Sequence, residues 1–202
     1  MKNGASQTVV GAAMSDMPEL MRLFRIMHAE GGLFPVDEKC VEEMFTNAIL
    51  RHQGIIGVVR GDDTEIRGFI SLLITRFWYT QHFHVEEMFN FISPEHRKSN
   101  YADMLIRYAK HCADELKIPL IIGVLTNRRM EAKVRLYRRR LGMPAGAFFL
   151  HNAEWINERA ENGEIWKTHS RAGTKRTRKP MGAIMPEVPS LLEMVPATTT
   201  VM

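Results

Sequence analysis

The spacing of apolar residues changes several times along this chain, and each change marks an element. Thr8 to Ala12 is a short β-branched stretch that predicts a strand. Asp16 follows, with Glu19 three positions later in an aspartate-led relative of a capping box. Met17, Leu20, Met21, Phe24 and Met27 then recur at helical spacing until Gly31-Gly32 stops them. Val36, Cys40, Val41, Met44, Phe45, Ala48 and Ile49 repeat the pattern, so a second helix is expected, with Cys40 on its core face.

The period then shortens. Ile55 to Val59 and Ile66 to Ile74 are β-branched runs separated by Gly61-Asp62-Asp63, which predicts a hairpin, and His82 to Ile92 supplies a third antiparallel strand. From Asn100 to Leu116 the apolar residues Ala102, Leu105, Ile106, Ala109, Cys112, Ala113 and Leu116 fall on one helical face. Pro119 to Thr126 is a continuous apolar run, the pattern of a strand buried on both faces. Strand, helix and strand make a βαβ unit with an expected right-handed crossover. A helix over Arg128 to Leu141, ended by Gly142, and a last strand over Gly146 to Leu150 complete the expected α/β domain.

Composition bounds this picture. A chain of 202 residues with 45% hydrophobic and 25% charged positions is expected to be one globular domain, residues 1–155, with an extension over 156–202. From Thr168 onward Gly, Pro, Thr and basic residues replace any periodicity, so this part is expected to be a flexible tail. The formal charge is +4; the tail from Arg171 holds five bases against two acids, which leaves the body nearly neutral. Cys40 and Cys112 form no C-x-x-C pair, so reduced thiols in a cytoplasmic protein are expected. Met1 to Gln7 lacks an apolar signal segment, and no apolar run approaches the roughly 20 residues of a membrane span, so no membrane partner is expected.

The βαβ unit offers an anion site at the N-terminus of its helix. The sequence there is Arg97-Lys98-Ser99-Asn100-Tyr101-Ala102, and further on stands Leu136-Tyr137-Arg138-Arg139-Arg140-Leu141-Gly142-Met143. The first segment is similar to the Gln/Arg-x-x-Gly-x-Gly/Ala loop, and the second to the Leu-Tyr-x-x-x-Gly-Phe signature, of the GNAT superfamily of acyl-CoA-dependent N-acetyltransferases. The resemblance covers about residues 8 to 152, including the order of elements. It implies a GNAT-type mixed, mostly antiparallel sheet flanked by helices, acetyl-CoA as cosubstrate and an amine as acceptor. Pro94 to Ala102 and Gly146 to Leu150 also look like GNAT proteins encoded by bacteriophages.

Residue roles follow from the resemblance. Main-chain N–H groups of Arg97, Lys98, Ser99, Asn100, Tyr101 and Ala102 would cradle the pyrophosphate of coenzyme A. Asn100 stands where the family has its central glycine, and Asn tolerates positive φ well. Asn127 joins the expected cosubstrate contacts, and N–H groups near Phe91 and Ile92 would hold the thioester carbonyl. Tyr137 would protonate the departing thiolate. Glu86 and Glu87 point to opposite faces of their strand, so only one can face the substrate. Glu86 lies eleven residues before Arg97, a spacing similar to that of the catalytic glutamate in the histone-acetylating branch, which favours it as the base over Glu87.

Plainer readings stand beside these. The two glutamates could be solvent-facing carboxylates, Tyr137 a packed aromatic, and Arg97 to Ala102 an ordinary polar turn. His82-x-His84-x-Glu86 places three metal-capable groups on alternate strand positions, although no metal is expected in the favoured reading. Arg128 to Arg140 carries seven bases against one acid. With the tail it could contact nucleic acid nonspecifically through phosphates. A homodimer and a catalytically idle CoA-fold or nucleic-acid-binding accessory protein complete the alternatives.

Overall fold

A computed structural model describes residues 8–126, 130–149, 151 and 198–199. Its elements, in chain order, are β1 (Val9–Gly11), α1 (Met17–Gly31), α2 (Glu38–Ile49), β2 (Gly54–Arg60), β3 (Ile66–Thr75), β4 (His84–Ile92), α3 (Tyr101–Leu116), β5 (Leu120–Ile122), α4 (Met130–Leu141) and β6 (Thr198–Thr199). The sheet runs in the order β5-β4-β3-β2-β1-β6. Its described pairs are antiparallel except β4 with β5, which is parallel. This is the mixed, mostly antiparallel sheet flanked by helices that the sequence predicts.

Alternation along the strands builds two cores. Ile55, Val59, Ile70, Leu72, Ile74, Val85 and Ile92 meet the apolar stripe of α3, where Leu105, Ala109 and Cys112 are fully buried. Ile56, Val58, Phe69 and Phe91 point the other way and meet Leu20, Phe24 and Phe45 of α1 and α2. At Gly57 a Cβ would sit 2.5 Å from the Tyr108 ring, so the missing side chain lets α3 lie close on β2.

One irregularity sets up the site. Ser71 pairs with Phe89 and Leu72 with Glu87, which leaves Met88 as an extra residue on β4. Such a bulge shifts the alternation by one. Ahead of it Glu87 shares a face with Val85, and after it Asn90 and Ile92 occupy that same α3 face while Phe89 and Phe91 turn toward α1 and α2.

Five expectations need correction. Cys40 is exposed, because it stands in the first turn of α2, short of the sheet. Asp16 does not cap α1; as the third residue of a preceding 3₁₀ turn it reaches back to the Ala13 N–H at 2.8 Å and pairs with Arg60 at 2.7 Å. Only Leu120–Ile122 of the long apolar run is strand, and it is half-buried. Its outer edge gains no partner from Gly146–Phe149, which form no strand and are exposed; Leu150 lies outside the described residues. In the extension, residues 156–197 also lie outside them, but Thr198 and Thr199 pair with Val10 and Val9, adding an edge to the sheet where only a flexible tail is expected.

Candidate active site

The parallel pairing of β4 with β5 covers only Val85 to Glu87 against Leu120 to Ile122. Beyond Glu87, β4 continues to Ile92 beside β3 alone, while the chain after β5 swings away until the Thr126 hydroxyl donates to the Gly31 carbonyl at the end of α1, 3.3 Å away. The strands therefore part, and a cleft of about 640 Å³ opens between them. Glu86 and Glu87 stand at the fork, Tyr137 enters from α4, Ala102 from α3, and Met27 from α1.

The two carboxylates have different surroundings. Glu86 keeps a side chain 45% exposed, and its Oε2 lies 3.8 Å from Nε2 of His84, which is buried under the Phe77 ring at 4.6 Å between centroids. Glu87 is half-buried, and loss of water pushes its carboxyl up to about 7; Lys133 opposes the rise and Glu86 adds to it. His82 precedes β4, and no group of three metal-capable side chains converges among the described residues.

Tyr137 is buried, and its hydroxyl is hydrogen-bonded to the side chain of Asn90. Burial, reinforced by the Glu87 charge, drives the phenol well above its ordinary value, with Asn90 acting in the opposite sense. The group is thus held in its protonated, donor form at neutral pH. Sequence reasoning misses Asn90, because its face depends on the bulge at Met88.

The turn before α3 differs from the expected cradle. Asn100 has φ −87°, and no residue from Arg97 to Ala102 has positive φ, so the position of the family's glycine needs no left-handed backbone here. Ser99 caps the helix with its own side chain, accepting from the Tyr101 N–H at 3.2 Å and donating to the His96 carbonyl at 2.6 Å. Tyr101 turns its ring into the α3 core. Lys98 and Asn100 are exposed, and Ala102 lines the cleft.

Arg97 is engaged by protein groups. Its Nε donates to the Ile92 carbonyl at 3.1 Å, its guanidinium pairs with Glu30, and its Cζ lies 5.4 Å from the centre of the Phe91 ring. Phe91 itself packs in the α1–α2 core. Asn127 lies outside the described residues. Within the basic row of α4, Arg140 binds Asp103 at the start of α3 at 2.5 Å, and Arg135 lies 3.5 Å from Glu131.

A sheet split between parallel strands, with a buried tyrosine beside Glu87 and a second carboxylate, Glu86, at the same fork, has the architecture of an acyltransferase. Solved acetyltransferases share the fold. A ribosomal-protein-alanine N-acetyltransferase from Brucella melitensis biovar Abortus 2308 superposes with a TM-score of 0.57 at 17% identity, over 73% of this chain and 99% of that one. An acetyltransferase from Trypanosoma brucei gives 0.54 at 15% identity, over 72% and 97%. An aminoglycoside acetyltransferase from an uncultured soil metagenomic sample gives 0.54 at 14%, over 72% and 93%. Residues 17–143 match the acetyltransferase (GNAT) family, and the chain belongs to it. No curated protein matches the sequence. The likeness to phage-encoded proteins finds no support in these comparisons.

Proposed function

We propose that this protein moves an acetyl group from acetyl-CoA to a primary amine by direct attack, with no covalent enzyme intermediate. The observation that carries this reading is the cleft at the parting of β4 and β5, with Glu86 and Glu87 at its fork and Tyr137 lining it beside Glu87. Glu86, the more open carboxylate, takes a proton from the ammonium substrate through water. The freed nitrogen attacks the thioester carbonyl and forms the C–N bond. Main-chain N–H groups of the β4 segment ending at Phe91 and Ile92 stabilise the oxyanion. The C–S bond then breaks, the thiolate takes the Tyr137 proton, and the new amide nitrogen gives up its second proton, which restores Tyr137 through water.

A positioned base contributes about 10²- to 10⁴-fold, whereas holding both reactants in line can supply about 7–11 kcal/mol, so alignment in the cleft is the larger effect. In this reading Arg97 to Ala102 lie at the diphosphate of the cosubstrate. The cytoplasm is the proposed setting; no described helix is long and apolar enough to cross a membrane.

Thiol release from acetyl-CoA tests the reading, with a panel of primary amines that includes peptides with free N-termini and aminoglycosides. Acceptor-dependent release supports it. No release together with no heat of acetyl-CoA binding overturns it.

A further inference from the structure

Arg97 occupies the mouth of the cleft in a conformation that faces α1. Its guanidinium meets Glu30 in the last turn of α1, its Nε meets the carbonyl of Ile92 at the end of β4, and its plane lies against Phe91. Glu30 and Arg97 both line the cleft, with side chains 33% and 24% exposed. The pair joins residues 67 positions apart in sequence. It also joins the two sides of the cleft, since Arg97 precedes α3 whereas α1 packs with α2 on the opposite face of the sheet. The neighbouring cations do not share that carboxylate: Arg67 of β3 pairs with Asp63 at 2.6 Å and lies 2.9 Å from the His96 ring, and Lys98 is exposed.

We propose that Glu30 is a positioning residue that competes with the cosubstrate's diphosphate for Arg97. This inference rests on the acetyl-CoA reading above. An arginine fork satisfies carboxylate and phosphate with the same geometry, so the exchange trades one charge-assisted pair for another. Seating of the diphosphate draws Arg97 off Glu30 and frees that carboxylate in the last turn of α1. Glu30 thus tunes cosubstrate affinity.

The experiment compares acetyl-CoA with acetyl-pantetheine, which keeps the thioester and lacks the diphosphate, in steady-state kinetics on the full chain. Glu30→Gln should lower KM for acetyl-CoA about two- to fivefold, the range of a partly exposed ion pair, and leave KM for acetyl-pantetheine unchanged. Arg97→Gln should raise KM for acetyl-CoA alone, and Glu30→Asp should behave as wild type. An equal effect of Glu30→Gln on both thioesters, or a raised KM for acetyl-CoA, would overturn the competition. Failure of the wild type to turn over either thioester would instead overturn the acetyltransferase reading on which it stands.

Discussion

Asn90 of β4 is hydrogen-bonded to the Tyr137 hydroxyl of α4, across the gap that β5 leaves beside β4. Removing that hydroxyl takes away the proposed proton donor and leaves the walls of the cleft in place. Tyr137→Phe should therefore lower kcat about 10²-fold, while the Kd for acetyl-CoA stays within about twofold of wild type. Stopped-flow thiol release and calorimetric titration measure the two quantities. An unchanged kcat would remove Tyr137 from the chemistry.

In the proposed mechanism Glu86 is needed only while the acceptor nitrogen is protonated. Glu86→Gln should cost about 10²-fold in kcat/KM near neutral pH, and the loss should shrink as pH rises toward the pKa of the amine. A deficit that stays constant from pH 7 to pH 9.5 would count against proton removal by this side chain.

Glu87 supplies a test in stability. Its carboxyl is raised from 4.5 to about 7, so between these values the folded chain binds more protons than the unfolded one, and stability falls as pH rises through that window. Glu87→Gln removes the titration. The variant should match wild type near pH 5 and exceed it at pH 8 by on the order of 2 kcal/mol. Urea midpoints at the two pH values measure this, and an identical difference at both would show that the carboxyl is not raised.

Asp16 and Arg60 tie the entry of α1 to β2 at 2.7 Å, and the carboxylate is 8% exposed. Asp16→Ala leaves the Ala13 N–H without its acceptor and the Arg60 guanidinium with the Thr64 carbonyl in place of a carboxylate. The expected cost is about 1.5–3 kcal/mol, read as a lower urea midpoint with an unchanged slope.

Gly57→Ala should destabilise by about 1–3 kcal/mol, because a Cβ there meets the ring of the fully buried Tyr108 at 2.5 Å and Val9 at 3.0 Å. A thermal midpoint equal to wild type would mean that α3 shifts freely on the sheet.

Much of this architecture is legible in the residue pattern. Met17, Leu20, Met21 and Phe24 recur at helical spacing and all are buried in α1, and the hairpin of β2 and β3 forms where the β-branched runs place it. Spacing reports a face, however, and not whether another element reaches it: Cys40 has core spacing yet lies exposed. The apolar run of β5 likewise promises burial that a three-residue edge strand does not receive. Glu86, Glu87 and Tyr137, candidates from the sequence, line one cleft. Asn90 and the Glu30 partner of Arg97 are not such candidates, because each depends on pairing between distant segments.

In an unbroken ribbon Glu86, Met88, Asn90 and Ile92 would all look the same way. A single surplus peptide at Met88 reverses the parity of every later position in β4, which gathers a carboxylate and an amide beneath one phenol and sends two phenylalanines to the opposite layer. Excising that uncharged methionine would leave these faces as they stand, since Phe89 would then follow Glu87 in plain alternation; flattening β4 with Met88 retained would instead transpose four side chains at once and exchange oil for amide on both sides of the strand.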